Sequence, residues 1–310
     1  MDYPLTEDSQ VTSLRKIDGF IEANSLKLSY RQWQGKASTP AFLLIHGLAS
    51  GLRIWDFVAA QLVQLTGGQA IAFDQRGHGL SDKPDTGYDA AQIVSDDHGL
   101  VTALKLEKSI LVGHSWGASI ALAYAATYPN EVNGLVLVDG GMGNMQDRPD
   151  MTWERVEKDL APPHFAGTPK ETYLDYFRKG GNSQYFGPVW NAELEDMLLN
   201  IVELRPDGTV GPRLARSNHM QILRSMWETS NTDLAKQVTC PVLMISAETQ
   251  ASEDWGRLKR EGAERMRMAL THSPRVEFMT MTDTVHDVPL QRPAVLAETI
   301  VKFMQEPSAI

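Results

Sequence analysis

Residues 109–128 read SILVGHSWGASIALAYAATY, and they are the strongest indication of the fold in the sequence. The apolar run 109–112 is typical of a buried strand, and the residues from 118 onward have helical spacing. Between them lies GHSWG, residues 113–117, and a strand that breaks into a helix at Gly-X-Ser-X-Gly is a nucleophile elbow. Glycine is required because side chains at both ends of so tight a turn would collide with the neighbouring helix or strand. Taken alone, the pattern also fits an ordinary glycine-rich turn; as an elbow, it predicts a strained Ser115 whose hydroxyl stands clear of the sheet.

Three other segments carry patterns that support the elbow. The buried-strand pattern 41–45 ends in His46, Gly47 and Leu48. Strand 70–73 leads into a turn with the sequence DQRGHGLSD. His286 follows a late strand-like run through a short polar loop.

Together these segments resemble the α/β-hydrolase superfamily. Its members carry a His-Gly pair after the third strand, an Arg-Gly turn after the fourth, the elbow after the fifth and a late histidine. The resemblance covers most of residues 17–305 but not the middle, roughly 143–235. It implies an α/β fold with a mostly parallel central sheet, helices on both faces and an inserted helical cap.

The order of predicted elements agrees with that fold. Strands alternating with helices imply a parallel sheet that is covered on both faces. The predicted strands are 17–22, 26–33, 41–45, 70–73, 109–112, 134–139, 241–245 and 275–281, and the predicted helices are 53–65, 90–105, 118–128, 256–270 and 293–305. We therefore expect a hydrolase core made of residues 1–142 and 236–310, with residues 143–235 inserted as a helical cap after the sixth strand.

Composition restricts the classes of partner. The chain has 310 residues and a formal charge of −10, so it lacks the clustered cations that nucleic acid or an anionic membrane requires. Because the chain has a single cysteine, Cys240, it has no internal disulfide. The apolar run around Cys240 favours a buried, inert thiol. Residues 1–10 do not resemble a leader, and no segment has the apolar length of a membrane span. We expect a soluble, cytoplasmic protein whose oligomeric state is open.

An acyl-transfer serine needs a base and a group that holds the base in the correct tautomer. Among eight histidines, His286 is the candidate base, because its loop meets the elbow at the sheet edge where ligands bind in open α/β folds. His46 and His114 are interpreted as residues that brace loops. His219 fits the lining of a cavity or a solvated helix face.

The acid departs from the common superfamily pattern. Most members place an aspartate just after the strand represented here by 242–245, where spacing puts Gln250, and a neutral amide stabilises imidazolium poorly. A minority supply the carboxylate from the end of the preceding strand, which here is Asp139. Asp139 also fits a cap for the glycines that follow it. The sequence leaves Asp139 as the leading candidate and Glu248, Glu253 and Asp254 as alternatives.

By the same resemblance, the backbone N–H groups of Leu48 and Trp116 form the oxyanion hole, and Trp116 stands at a helix N-terminus. Arg76 is expected to pair with a carboxylate. No metal or cofactor is expected, because no ligand spacing is backed by a third partner and the glycines after Asp139 do not make a dinucleotide fingerprint.

The predicted cap is rich in aromatic residues and methionine. Packing accounts for most of them, and the surplus suggests an apolar pocket for a hydrophobic or aromatic acyl compound. They are Trp153, Phe165, Tyr173, Tyr176, Phe177, Tyr185, Phe186, Trp190, Met197, Met220, Met226 and Trp227. Candidates to bind a substrate carboxylate are Arg213, Arg216 and Arg224.

These patterns predict a serine hydrolase that cleaves a carboxylic ester or lactone through an acyl-enzyme. Related dehalogenases and epoxide hydrolases attack with aspartate, and a serine ether formed in their way could not be released. Two alternatives stay open: hydrolysis of a carbon–carbon bond in a ring-cleavage diketone, and a hydrolase-like receptor with little turnover. The natural substrate is not determined by the sequence.

Overall fold

Eight strands form one sheet at the centre of the chain. The computed structural model describes residues 14–36, 40–179, 189–249 and 253–306, without the side chains of residues 253 and 254. The strands in chain order are β1 (Lys16–Ala23), β2 (Leu26–Trp33), β3 (Phe42–Ile45), β4 (Ala70–Phe73), β5 (Ser109–His114), β6 (Val132–Val138), β7 (Thr168–Pro169), β8 (Val202–Leu204), β9 (Thr209–Pro212), β10 (Val242–Glu248) and β11 (Val276–Thr282). The central sheet has the order β1-β2-β4-β3-β5-β6-β10-β11.

The sheet is mostly parallel, as predicted. β2 is antiparallel to both of its neighbours, and the remaining neighbours are parallel. β1 and β2 are antiparallel because only Asn24 and Ser25 join them, both with positive φ (50° and 63°), and a two-residue loop of that kind closes a hairpin.

Helices cover both faces of the sheet. In chain order they are α1 (Asp56–Thr66), α2 (Ala90–Ala103), α3 (Trp116–Thr127), α4 (Trp153–Asp159), α5 (Lys170–Arg178), α6 (Ala192–Ile201), α7 (Arg216–Glu228), α8 (Asn231–Ala235), α9 (Glu253–Ala269), α10 (Val288–Gln291) and α11 (Pro293–Gln305). Short 3₁₀ turns cover Leu52–Trp55, Pro129–Glu131 and Met145–Asp147.

Successive residues of the buried strands point to opposite faces and build two cores. Leu43 and Leu111 pack with residues of α2, α3 and α9 on one face. Leu44 and Val112 pack with residues of α1 and α11 on the other. Each fully buried leucine or valine contributes about 1.5–3 kcal/mol relative to an exposed one. The apolar runs within β3 to β6 are therefore the source of the layered architecture.

The chain between β6 and β10 contains helices α4 to α8 and also a small sheet that was not predicted. This antiparallel sheet has the order β7-β9-β8. Its strands have two to four residues, too few for an alternating pattern to be recognised. The Pro206-Asp207-Gly208 turn between β8 and β9, where Gly208 has φ 80°, is the signal that sequence reasoning missed.

No helix in the described ranges combines the length and the apolar composition that crossing a lipid bilayer requires.

Two adjacent carboxyl groups on α2 have opposite surroundings. Asp96 is paired with Arg76, with Nε 2.6 Å from Oδ2 and Nη2 3.0 Å from Oδ1, so Arg76 has the carboxylate partner predicted for it. Asp97 is also buried, and its Oδ2 has no hydrogen-bond partner among the described residues. Burial, and then the nearby charge of Asp96, raise the pKa of Asp97 well above its usual value.

We expect Asp97→Asn to stabilise the fold at pH 8 by about 1–3 kcal/mol, because asparagine cannot ionise in this unpaired site. Since the folded pKa is raised, wild-type stability is full below the unfolded pKa of about 4 and decreases as pH rises toward the folded pKa. The gain should therefore be larger at pH 8 than at pH 5 in urea unfolding. Asp96→Asn is the control and should destabilise at both values by breaking a buried ion pair. An equal effect of Asp97→Asn at both values would contradict the interpretation.

Candidate active site

Ser115 lies in the tight turn between β5 and α3, with φ 55° and ψ −122°. This conformation is rare for a residue with a side chain and costs on the order of 1–3 kcal/mol. The surrounding glycines make it possible: a Cβ at Gly113 would lie 2.2 Å from the Gly117 carbonyl oxygen, and one at Gly117 would lie 2.3 Å from that of Ile45. The elbow predicted from the sequence is thus the local geometry of the structure.

Three predicted residues are joined by hydrogen bonds. The Nε2 atom of His286 lies 2.9 Å from the Ser115 Oγ, and its Nδ1 lies 2.6 Å from the Asp139 Oδ2. Ser115 follows β5, Asp139 follows β6 and His286 lies in the loop after β11, so all three stand at the carboxyl ends of parallel strands. The Asp139 side chain is 0% exposed, whereas that of His286 is 42% exposed. The carboxylate is therefore shielded from water, and the imidazole can reach a ligand.

Asp139 and His286 each shift the pKa of the other toward its charged form. Burial acts to raise the pKa of Asp139, but the hydrogen bond and charge of His286, followed by Lys259, bring it down to about 2. Burial acts to lower the pKa of His286, and the hydrogen bond and charge of Asp139 outweigh it, so the pKa ends above its usual value. Asp139 is consequently ionised throughout the neutral range.

Lys259 on α9 was not identified from the sequence. Its Nζ lies 2.7 Å from the Asp139 Oδ1, 3.0 Å from Oδ2 and 2.7 Å from the Ala247 carbonyl oxygen. The Ala247 N–H also donates to Oδ1, at 2.8 Å. A lysine on a charged helix has no local signal for such a contact, which joins two segments 120 residues apart.

Among the alternative acids, the structure describes the side chain of Glu248. The Glu248 carboxylate contacts the guanidinium of Arg260, and His286 Nδ1 is already bound to Asp139. Gln250 and the side chains of Glu253 and Asp254 lie outside the described part of the chain. Among the described carboxylates, Asp139 is the one that holds the histidine.

His114 lies beneath the histidine loop. It is buried, and its Nε2–H donates to the His286 carbonyl oxygen at 2.9 Å. Burial, and then the charge of His286, lower the pKa of His114 to about 4, so it is neutral near pH 7. This contact agrees with the bracing role expected for His114.

The two predicted oxyanion donors lie on either side of the serine. Gly47, next to Leu48, approaches so closely that a Cβ there would be 3.0 Å from the Ser115 Cβ. Trp116 is the first residue of α3, where an N–H has no intrahelical acceptor. Within the described residues, the backbone N–H groups of Leu48 and Trp116 have no hydrogen-bond acceptor. Both are thus free to bind a developing negative charge.

Two buried histidines hold the loop that carries Leu48. The Nε2 of His46 accepts from the Gln75 N–H at 3.1 Å, and the Nε2 of His78 accepts from the Ala49 N–H at 3.2 Å. His78 also stacks on the Trp116 ring, with centroids 5.5 Å apart. Burial lowers the pKa of His46 and of His78, so both stay neutral and able to accept.

The residues predicted to line an apolar pocket divide into groups. Four aromatic rings, Phe165, Tyr173, Tyr176 and Phe177, pack on one another with centroids 5.1–6.4 Å apart, as expected for packing residues. Met197 is buried in the core that also contains Leu52. His219 is buried, with Nε2 3.2 Å from the Leu160 carbonyl oxygen.

The remaining aromatic residues and methionines of the predicted pocket are partly exposed or lie outside the described residues. Tyr185 and Phe186 fall outside the described residues. The guanidinium of Arg224 lies over the Trp153 ring, 4.8 Å from its centroid, and that of Arg178 lies over the Trp190 ring, at 4.6 Å. Met220, Met226 and Trp227 are half-buried on α7.

The three arginines considered for a substrate carboxylate have partners in the chain. Arg213 donates to the Asn200 carbonyl oxygen at 2.9 Å, and Arg216 donates to that of Pro162 at 3.5 Å. Arg224 is paired with Glu228. Among the described residues, no group of three His, Cys, Asp or Glu side chains has the arrangement of a metal site.

A sequence model of the alpha/beta hydrolase family matches residues 42–299, which is most of the chain. The chain belongs to this family. The match spans the elbow, Asp139 and His286, so the hydrolase fold and the resemblance proposed from the motifs are confirmed.

Relatives of this alpha/beta hydrolase include two curated proteins. A 2-(acetamidomethylene)succinate hydrolase of Mesorhizobium japonicum is 39% identical over 119 residues, 38% of this chain and 41% of that protein. An sn-1-specific diacylglycerol lipase of Mus musculus is 38% identical over 115 residues, 37% of each chain. The chain thus covers about two fifths of the length of these relatives.

Solved structures share the whole fold. The crystal structure of E-2-(acetamidomethylene)succinate hydrolase superposes with a TM-score of 0.70, at 24% identity, covering 94% of this chain and 100% of that one. An enol-lactonase from Burkholderia xenovorans gives 0.68 at 18% identity, with 93% and 100% covered. These likenesses show the fold.

We expect Gly140→Ala to lower kcat/KM by about 100-fold or more, because a displacement near 1 Å at the reacting group has effects of that size. A Cβ at Gly140 would lie 2.0 Å from the Ser115 carbonyl oxygen, so the elbow must move. Turnover of a 4-nitrophenyl ester measures the effect.

Gly134→Ala, on the strand β6 that precedes Gly140, is the matched control, since its Cβ would approach the flexible end of Met304 and make an ordinary contact with Ile110. It should keep most of the activity. Equal activity of the two variants would show that the elbow does not depend on this close approach.

Proposed function

We propose that this alpha/beta hydrolase cleaves a carboxylic ester or lactone of a hydrophobic small molecule through an acyl-enzyme. The observation that carries the proposal is the continuous hydrogen-bonded series Ser115 Oγ, His286 and Asp139. A serine hydroxyl becomes a competent nucleophile when an oriented imidazole can accept its proton. The same series supports the roles of nucleophile, base and orienting acid.

In the first half of the reaction, the Ser115 Oγ bonds to the acyl carbon while its proton passes to His286 Nε2. The tetrahedral oxyanion binds the free N–H groups of Leu48 and Trp116. Collapse breaks the bond to the leaving oxygen, which takes the proton from Nε2. Water then repeats the sequence: it gives a proton to Nε2, its oxygen bonds to the acyl carbon, and Ser115 recovers the proton as the acid leaves.

Asp139 stabilises the imidazolium that forms in each half. The hydrogen bond from Nδ1 keeps the ring in the tautomer whose Nε2 faces the serine. Since the Asp139 carboxylate is fully buried, its attraction for the imidazolium is weakened little by water.

The comparisons support an acyl substrate. One curated relative is named for the hydrolysis of an acetamidomethylene succinate and another as a diacylglycerol lipase, and an enol-lactonase and an esterase share the fold. An epoxide hydrolase also shares it. Serine at position 115 favours a carbonyl electrophile, because an ester of serine is released by water whereas an ether is not.

We propose that residues 143–235 form the substrate-binding part and that residues 1–142 and 236–310 form the catalytic core. Support comes from the contacts between the two at α3, directly after the nucleophile. The Asn231 side chain donates to Ser119 Oγ of the core at 3.3 Å, and Ser225 and Met226 of α7 line a small cavity together with Trp116. Residues of α7 and α8 therefore lie within reach of a ligand bound at Trp116.

We expect Asp139→Asn to reduce turnover of a short 4-nitrophenyl ester by about 10⁴-fold, because an amide favours the wrong tautomer of His286. Glu248→Gln and Asp254→Asn are the matched controls and should keep most of the activity. Loss of activity in either control, with retention by Asp139→Asn, would move the acid to the end of β10 or to the segment after it.

We expect a fluorophosphonate probe to modify the wild-type chain stoichiometrically at Ser115 and to leave Ser115→Ala unmodified, as read by intact-protein mass spectrometry. An activated nucleophile reacts with such a probe because the oxyanion hole and the base lower the barrier. Absence of labelling in the wild-type chain would favour a binding protein with little turnover.

The pH profile of kcat/KM should have an acid limb at a pH above the usual histidine pKa of about 6.5. The base must be neutral to accept a proton, and the pKa of His286 is raised, so activity is lost as pH falls through that raised value. Asp139, with a pKa of about 2, should add no limb between pH 5 and 9. An acid limb well below pH 6 would contradict this charge arrangement.

A further inference from the structure

Lys259 completes the surroundings of the Asp139 carboxylate. Its ammonium contacts both carboxylate oxygens and the Ala247 carbonyl oxygen, so its three N–H groups have acceptors. The side chain of Lys259 is 16% exposed, which places a cation beside the buried acid and away from most water. Oδ1 thus binds Lys259 and the Ala247 N–H, and Oδ2 binds Lys259 and His286.

We propose that Lys259 is a positioning residue that fixes the Asp139 carboxylate. Its charge also opposes the protonation of His286, so the imidazole stays neutral and able to accept a proton down to a lower pH. The proposal rests on the catalytic roles given above. Three charged groups act on the His286 ring: Asp139 and Asp287 favour its cationic form, while Lys259 opposes it. The ring of His114 lies beside that of His286 and is neutral near pH 7. A fixed cation in this cluster limits how far the acid can stabilise imidazolium.

The test compares pH profiles of kcat/KM for a 4-nitrophenyl ester. Lys259→Met and Lys259→Gln both remove the charge, and each should move the acid limb to higher pH by about half a unit or more. Lys259→Met should also reduce kcat about tenfold or more, since the carboxylate loses a hydrogen-bond donor. Lys259→Arg keeps the charge and should keep the limb.

Arg260→Met is the matched control, because the neighbouring Arg260 pairs with Glu248 and not with Asp139. Its limb should stay at the wild-type pH. An unmoved limb in the neutral variants, with folding verified by thermal unfolding, would overturn the role of Lys259. An unlabelled Ser115 would instead overturn the proposed function, so the two failures are distinguishable.

A different observation concerns Arg148. Its guanidinium stacks on the Trp255 ring, 4.2 Å from the centroid, and within the described residues it has neither a carboxylate within 4 Å nor a hydrogen-bond acceptor. Burial lowers the pKa of Arg148. Trp255 is 41% exposed. A partly buried cation beside an exposed aromatic ring lacks the counter-charge that such cations usually have.

The Arg148 and Trp255 pair is one helical turn from Lys259, which binds the triad acid. Trp255 precedes Lys259 by four residues on α9, so the two side chains share one helix face about 6 Å apart along the axis. Lys259 reaches Asp139, and Arg148 belongs to the segment that follows Asp139. The pair is therefore at the same edge of the sheet as Ser115.

We infer that Arg148 and Trp255 bind a carboxylate carried by the substrate. The planar guanidinium offers paired N–H donors that match a carboxylate, and stacking on the indole leaves those donors free in the plane. The exposed part of the Trp255 ring can pack against the apolar chain next to the carboxylate. This assignment names a substrate class for the proposed hydrolase, an acyl compound with a second, anionic end.

Two esters of equal chain length test it: mono-4-nitrophenyl glutarate, which carries a carboxylate, and 4-nitrophenyl pentanoate, which does not. Arg148→Met should lower kcat/KM for the glutarate ester about tenfold or more, mainly through KM, and change the pentanoate value less than about threefold. Arg155→Met, at an exposed arginine, is the control and should change neither. Equal losses on both esters would overturn the carboxylate site.

Binding of free glutarate to Ser115→Ala, measured by calorimetry, gives a readout that needs no turnover. Glutarate should bind this variant, and adding Arg148→Met should weaken the binding about tenfold or more. Unchanged binding in the double variant would overturn the site. If glutarate binds in this way while the wild-type chain hydrolyses neither ester, the proposed function fails and the anion site stands.

Discussion

The buried carboxylate of Asp139 is the interaction on which the site depends. It has no exposed surface, and a desolvated charge persists only where hydrogen bonds and opposite charge replace water. His286, Lys259 and the Ala247 N–H supply these from three separate parts of the chain. The carboxylate therefore joins the loop after β11, the helix α9 and the end of β10 around one point.

Parallel strands make that convergence possible. β5, β6 and β10 end at the same edge of the sheet, and the Asp139 N–H is bound to the Ile245 carbonyl oxygen at 2.7 Å. Two residues at this edge, Ser115 and Asp139, have positive φ, at 55° and 47°. At Ser115, the close approach of Gly140 to the carbonyl group of the serine leaves the turn little room to relax. The strained residues Ser115 and Asp139 thus directly follow two strands of the ordered sheet.

Positive charge at this edge has two distinct settings. Lys259 is saturated by acceptors within the chain and belongs to the internal structure of the triad. Arg148 lies on the ring of Trp255, which is one helical turn from Lys259 on α9. Among the described residues, no anion pairs with Arg148. Lys259 thus acts on a carboxylate of the protein itself, whereas Arg148 has the surroundings of a group that binds the carboxylate of a ligand. Both lie on a chain whose net charge is −10.

Local patterns in the sequence were sufficient for the central sheet and the elbow at Ser115, because strand runs, helix spacing and glycine turns depend on neighbouring residues. His286 was assigned from the family resemblance and from the position of its loop at the edge of the sheet. The local patterns left the acid open among four carboxylates and missed β7 to β9, which are too short to show a period. Only the tertiary structure placed Asp139 beside His286, Lys259 beneath Asp139 and Arg148 on Trp255. These contacts join residues about 100 or more positions apart, and their energy comes from desolvation and charge at a shared sheet edge, which no stretch of sequence contains by itself.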